Sequence, residues 1–309
     1  MIKQIDRGIL LMLLASLSFA CMGGFAKVVS QTLPPVEVTF FRNIFGVLLV
    51  GFSIIKVPLR QTGGKFWLLV FRGSMGFAAL LAYFYIMAHI PLAEAVTYNK
   101  TSPIFVAIFA YIFLHEKLHP FAVFAVIIGF VGIVLIAQPQ GGSFDKYDLL
   151  GIFSGMGAAL AYTSIRELRK YYDTRAIVMS FMGVGTVMPL LLMLITPYVS
   201  YSYEFDWMFA TFVMPQGIEW IYVMAVGIFA TVSQLLMTKA YELTKAGIVG
   251  TISYSNILFA LLIGIMLGDP VPDIWTTLGI LLVILSGLLV ALPKVKDDFN
   301  SRTMRTRES

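Results

Sequence analysis

The segment AEAVTYNKTSPIFVAIFAYIFL, residues 93–114, places a lysine and a proline inside a long apolar run. A helix of about 20 apolar residues crosses the ~30 Å hydrocarbon core of a bilayer. In lipid the charge of Lys100 costs about 3 kcal/mol. Pro103 has no amide hydrogen, so the carbonyl of Asn99 loses its helical donor. The segment therefore predicts a spanning helix whose polar middle faces a cavity or a packed polar interface.

The composition extends this interpretation to the whole chain. Of the 309 residues, 59% are hydrophobic and 13% are charged, and the mean hydropathy is +0.86. Soluble domains are about 45–50% apolar and about 25% charged. The apolar runs are long and continuous, which favours helices over the alternating strands of a membrane barrel. We therefore predict an all-α polytopic membrane protein.

Turn-forming and charged clusters divide the apolar runs into ten expected spans. The spans are predicted at about 8–29, 35–55, 66–88, 92–114, 121–138, 149–166, 176–196, 218–238, 246–267 and 274–293.

Basic residues set the expected orientation. With the N-terminus in the cytoplasm, most of the 22 lysines and arginines fall in cytoplasmic segments, whereas the outer loops hold Lys146 and are otherwise acidic. Cytoplasmic loops of membrane proteins carry such an excess. We therefore predict a multi-pass membrane protein with both termini cytoplasmic. The same loops explain the net charge of +5, so no nucleic-acid partner is predicted.

The two halves of the chain resemble each other. HEKL at 115–118 aligns with GDPV at 268–271, a shift of 153 residues (268 minus 115), and the same shift places Ser102 on Ser255. Each half has five predicted spans, so the second copy must be inverted relative to the first, as in many transporters. The predicted units are residues 1–140, residues 141–293 and a basic cytoplasmic tail at 294–309.

Lys100 is the first candidate for a binding role. It lies roughly 12 Å from the outer end of its span at about 1.5 Å per residue. A cavity in which Lys100 meets an anionic solute accounts for that depth, and a structural kink with Lys100 paired to Glu94 is the alternative. The polar neighbours predicted to bind substrate are Tyr98, Asn99, Thr101 and Ser102.

The equivalent segment of the second half is GTISYSNILF, residues 250–259, which has neither lysine nor proline. Its polar side chains can complete an asymmetric substrate site between the halves, or they can simply pack helices together. The substrate-binding residues predicted there are Ser253, Tyr254 and Asn256.

Three further cations lie within or near the spans. Arg42 is about as deep as Lys100, and its guanidinium suits a carboxylate or phosphate, with an ion pair to Glu37 as the alternative. Arg72 lies nearer the cytoplasmic end of its span, where it either reaches the lipid headgroups or lines an inner vestibule. Lys27 is expected to reach the outer surface.

The motifs of common enzymes are absent from the sequence. It contains no HExxH, no GxSxG and no P-loop. No acid lies deep in a span, and the three histidines have no metal-ligand spacing. We therefore predict neither an enzyme nor a cofactor or metal site.

Several residues resemble the EamA family of the drug/metabolite transporter superfamily over nearly the whole chain. They are Pro34, Arg42, the Arg72–Gly73 pair, LAEA at 92–95, Pro103 to Phe105, and Glu116. The resemblance implies an inner-membrane transporter of ten helices, with two inverted repeats around a central cavity.

The expected function is secondary transport of a small organic metabolite by alternating access. The solute would be amino-acid-like, another carboxylate or zwitterion, or nucleoside-like. A broad-specificity drug or metabolite exporter is the alternative, and a membrane scaffold or a channel subunit is a further one. The expected partners are the small-molecule substrate and the lipid bilayer, and the sequence leaves open whether the chain forms a homodimer.

Overall fold

The computed structural model describes residues 2–59, 62–114, 120–138, 144–243, 249 and 252–305. In this part of the chain the regular secondary structure is helical, with no strand. The α-helices are α1 Ile2–Val29, α2 Pro35–Lys56, α3 Phe66–His89, α4 Leu92–Asn99, α5 Ser102–Leu114, α6 Pro120–Ala137, α7 Lys146–Leu168, α8 Thr174–Ile195, α9 Glu219–Leu243, α10 Ser255–Met266 and α11 Ile274–Arg305.

The length and composition of these helices confirm a polytopic membrane protein. Six segments are long and apolar enough to cross a bilayer. They are Arg7–Val29, Pro35–Lys56, Phe66–His89, Lys146–Ile165, Thr174–Tyr198 and Glu219–Met237. Shorter apolar helices cover Val123–Ala137, Ser255–Met266 and Ile274–Leu289. The count of ten spans and the cytoplasmic termini stay predictions.

Two predicted boundaries differ from the structure. The span expected at 92–114 is two helices, because α4 ends at Asn99 and α5 begins at Ser102. The tail expected at 294–309 is helical as far as Arg305, because α11 continues without a break. Part of the span expected at 246–267 lies outside the described residues.

The break between α4 and α5 is built from local hydrogen bonds. The amide of Thr101 donates to the carbonyl of Tyr98 at 3.1 Å, three residues back, and the Thr101 hydroxyl donates to the same carbonyl at 2.6 Å. Such a tight turn ends a regular helix. Pro103 cannot donate four residues back, so the helical ladder restarts only after it.

A second break lies at the equivalent place in the other half. The amide of Ser253 donates to the carbonyl of Val249, as the amide of Lys100 donates to the carbonyl of Val96, both at 2.9 Å. These pairs are related by the 153-residue shift. No proline occurs at the second break, so its turn does not depend on one.

The helix contacts keep their pattern when the two halves are exchanged. The pairing α1 with α9 has its counterpart in α7 with α3, and α2 with α9 has its counterpart in α8 with α3. The contact of α1 with α10 corresponds to that of α7 with α5. The pairs α2 with α8 and α6 with α11 join equivalent helices. The two broken regions also meet, because α4 contacts α10.

Candidate functional site

The break after α4 is held against α7 by two side-chain hydrogen bonds and one close backbone contact. The Asn99 amide donates to the Ser154 hydroxyl at 3.1 Å. The backbone of the break comes close to Gly155, where a Cβ would lie 2.8 Å from the carbonyl oxygen of Tyr98. The Tyr98 hydroxyl donates to Asp148 Oδ1 at 2.6 Å. The break is therefore fixed in position by contacts within the protein.

These contacts already involve four of the predicted substrate-binding residues. The polar atoms of Tyr98, Asn99 and Thr101 bond to α7 or to the local backbone, and Tyr98 and Thr101 are fully buried. Ser102 is also buried. In this conformation the four residues form the frame of the break.

Lys100 is partly buried in the break itself. Across the part of the chain that the structure describes, no ion pair joins Lys100 to Glu94 or to another acid. The predicted structural alternative, a Lys100–Glu94 pair, does not form here. A long hydrogen bond of 3.4 Å runs from the Tyr254 hydroxyl to the Lys100 carbonyl, so the two broken regions touch at this residue.

The second half supplies further polar groups beside the break. Ser253 lies in its turn and is partly buried, whereas Tyr254 and Asn256 are buried. The Asn256 side-chain oxygen has no hydrogen-bond donor among the described residues. Burying a carbonyl oxygen without a donor costs roughly 1–3 kcal/mol of stability. The Asn256 oxygen is therefore an acceptor that a bound solute could satisfy.

Arg42 is buried on α2 and does not contact Glu37. Its Nη1 donates to Asn43 Oδ1 at 2.8 Å, and Glu37 instead accepts from the amide of Val213 at 3.0 Å. The guanidinium carbon lies 5.4 Å from the ring centroid of Phe181. The predicted Arg42–Glu37 pair is therefore absent from this conformation.

Arg72 lies within the helix packing. It is 7% exposed, so of the two predicted alternatives the one at the lipid headgroups does not hold in this structure. Its guanidinium carbon lies 5.0 Å from the same Phe181 ring. The nearby glycines allow this, because Gly73 and Gly76 let α3 approach α8 closely. A pair of small residues beside a charge was the available signal in the sequence.

Lys27 also differs from its expected role at the surface. It forms an ion pair with Asp269 and donates to the carbonyl of Ile90 at 2.9 Å. The other oxygen of Asp269 accepts from the amide of Leu92 at 2.8 Å. These bonds connect the end of α1, the start of α4 and the loop after α10.

A surface groove lies elsewhere. It has a volume of about 390 Å³ and runs between the ends of α2 and α3 and the side of α8, with a lining that is almost wholly apolar and includes Phe66, Met179 and Val184. No predicted substrate-binding residue lines it. The polar and charged groups of the broken helices, and not this groove, define the candidate site.

Broken apolar helices around buried cations are characteristic of membrane transport proteins. The sequence profile of the EamA-like transporter family matches residues 6–138 and 145–292, and the chain belongs to that family. The family is one of transporters, not of enzymes.

Individual relatives agree over nearly the full length. An uncharacterized transporter of Helicobacter pylori is 34% identical over 93% of this chain and 95% of its own. The pseudopaline exporter CntI of Pseudomonas aeruginosa is 31% identical over 94% and 96%. A crystal structure at 19% identity aligns over 93% of this chain and 97% of its own with a TM-score of 0.59, which shows a shared fold.

Proposed function

We propose that the protein is a secondary carrier that moves a small organic solute with an anionic group, such as a carboxylate, across the inner membrane by alternating access. The observation that supports this most is Lys100. It lies at a helix break, inside an apolar bundle, without an ion pair in the described chain. A cation inside an apolar bundle is unfavourable when no acid pairs with it. An anionic solute that binds beside Lys100 would supply the missing negative charge.

The architecture proposed is ten spans in two inverted repeats, residues 1–140 and 141–293, with both termini cytoplasmic. The matched breaks at Lys100 and Ser253 support it, as does the exchange symmetry of the helix contacts. In inverted-repeat carriers the substrate lies where discontinuous helices of the two halves meet. In this chain that place is the contact between α4 and α10.

The roles of the site residues follow from their present bonds. Lys100 and Arg42 bind the anionic group, and Asn256 offers its unused side-chain oxygen to a solute donor. Tyr98 and Tyr254 contact an apolar part of the solute once the helices move. Hydrogen bonds from the remaining polar residues complete the site: Asn99, Thr101, Ser102 and Ser253.

A broad-specificity exporter is the second candidate. The relative CntI is named as a pseudopaline exporter, and this favours outward transport. A scaffold is the less favoured alternative because it gives no reason for an unpaired Lys100, and a channel subunit differs in giving flux without saturation. A homodimer is compatible with each of these functions.

Transport by purified protein tests the proposal. Proteoliposomes are loaded with a water-soluble metabolite extract, and the solutes that exchange are identified by mass spectrometry. We expect anionic or zwitterionic solutes, and at least about a tenfold slower exchange with Lys100→Gln, because a bond to a charged group contributes about 1.5–3 kcal/mol. Lys65→Gln, which alters an exposed lysine, serves as the matched control. Equal exchange by both variants would refute the proposed role of Lys100.

A further inference from the structure

We infer that Arg42 and Arg72, whose guanidiniums both contact the ring of Phe181, together form a binding site for two negative charges of the transported solute. This inference rests on the proposed carrier function and narrows its substrate class to dianionic solutes. Two carboxylates and one phosphate group have this chemistry in common.

The two arginines converge from different helices on one ring. Arg42 belongs to α2, Arg72 to α3 and Phe181 to α8. The guanidinium carbons lie 5.4 Å and 5.0 Å from the ring centroid, so the distance between them is at most the sum, 10.4 Å. A small dicarboxylate can contact both groups over that distance, and a phosphate can do so when they are closer.

Neither arginine has a counter-charge among the residues that the structure describes. Their exposed fractions are 8% and 7%, and neither takes part in an ion pair within the residues that the structure describes. The Nε atoms of both are buried and have no acceptor among these residues.

The ring alone does not compensate for two buried charges. A cation over an aromatic face is stabilised by about 0.5–2 kcal/mol, whereas burying an ion costs several kcal/mol after relaxation. The two like charges also repel each other at short range. An oxyanion that accepts from both guanidinium forks would supply the missing acceptors and charge.

The arginines and the ring are held in place by their own helices. Asn43 accepts from Arg42 and donates to the carbonyl of Gly185 on α8 at 3.1 Å. A Cβ at Gly76 would lie 2.8 Å from Phe181 Cδ2, so the absence of a side chain there lets α3 contact the ring. Fixed geometry of this kind lowers the entropy lost on binding. Access to the buried pair is provided by the motion of alternating access.

The test measures binding of defined anions to purified full-length protein. Thermal shifts at constant ionic strength give the apparent Kd of succinate, inorganic phosphate and propionate for the wild type, Arg72→Gln, Arg72→Lys and Lys56→Gln. Lys56 is an exposed cation over the ring of Phe52 and provides the matched control. If Arg72→Gln does not fold, Arg72→Lys still tests the site, because it retains the positive charge at this position.

We expect the wild type and Lys56→Gln to bind succinate or phosphate at least about tenfold more tightly than propionate, since each charged hydrogen bond contributes about 1.5–3 kcal/mol. Arg72→Gln should lose that preference, and Arg72→Lys should retain only part of it because it lacks the bidentate fork. Preference for succinate alone identifies two carboxylates, and preference for phosphate alone identifies a phosphate group.

An unchanged preference in both Arg72 variants would overturn the inference. So would a wild type without any preference for dianions. In either case the carrier proposal would still hold if exchange in proteoliposomes depends on Lys100. Failure of the arginine site can therefore be distinguished from failure of the carrier proposal.

Discussion

Replacing Lys27 by methionine tests how much the Lys27–Asp269 ion pair stabilises the fold. The side chains of Lys27 and Asp269 are 14% and 12% exposed, so their ion pair is close to fully buried. Removing one partner of a buried pair costs about 3–5 kcal/mol, because the other charge is left uncompensated. The residual exposure and the bond from the Leu92 amide place the expected loss near the lower end, about 3 kcal/mol. At roughly 2 °C per kcal/mol for a chain of this size, Tm should fall by about 6 °C.

The assay is thermal unfolding in detergent followed by intrinsic fluorescence, with a double-mutant cycle. Asp269→Asn alone should also destabilise, and the double variant should be less unstable than the two single losses added together. The matched control is Lys65→Met, whose pair with Glu167 has side chains 46% and 27% exposed. Exposed pairs contribute little, so no measurable change is expected. A Lys27→Met shift no larger than the control, with additive single effects, would refute the stabilising role of the Lys27–Asp269 pair.

Three further predictions concern other contacts. Tyr98→Phe should lower stability by about 1–3 kcal/mol, because Asp148 loses a 2.6 Å donor, and chemical denaturation of the purified protein measures this. Gly155→Val should lower Tm and abolish exchange in proteoliposomes, since its Cβ would lie 2.8 Å from the Tyr98 carbonyl. Hydrogen bonds from Lys170 and Lys65 lower the pKa of the exposed Glu167 carboxyl to about 2, so the small contribution of these pairs is complete above the ordinary carboxyl pKa and is lost as the pH falls toward 2. NMR titration of the Glu167 carboxyl should show the lowered pKa although Tm changes little, and an ordinary pKa would contradict the shift.

The position of the first helix break was predictable from local chemistry. Pro103 removes a donor, and Lys100 disfavours lipid. The full separation into α4 and α5 was not predicted, because a proline also permits a continuous, kinked helix. The second break has no proline, and only the weak repeat indicated it by placing Ser253 on Lys100.

Long-range partners could not be derived from the sequence. Lys27 and Asp269 are 242 residues apart, and no local pattern connects them. Arg72 was assigned by its distance from the helix end, whereas its direction is set by the close contact of α3 with Phe181 on α8. The position of a residue along its own helix is therefore a poorer guide to its burial than the packing of neighbouring helices.

The sequence profile of the EamA-like transporter family matches both halves of the chain, as the resemblance predicted. The proposed anionic solute rests on three cations, Lys100, Arg42 and Arg72, and of these Arg42 and Arg72 also carry the family resemblance.

Counterflow kinetics test the central claim most directly. Proteoliposomes are preloaded with the unlabelled solute found in the extract screen, and uptake of the labelled solute is measured over a range of outside concentrations. A carrier that binds through Lys100 predicts saturable uptake, faster with solute inside than without it, and loss of this stimulation in Lys100→Gln. Uptake that rises linearly with concentration, and that is unaffected by internal solute or by Lys100→Gln, would contradict the account.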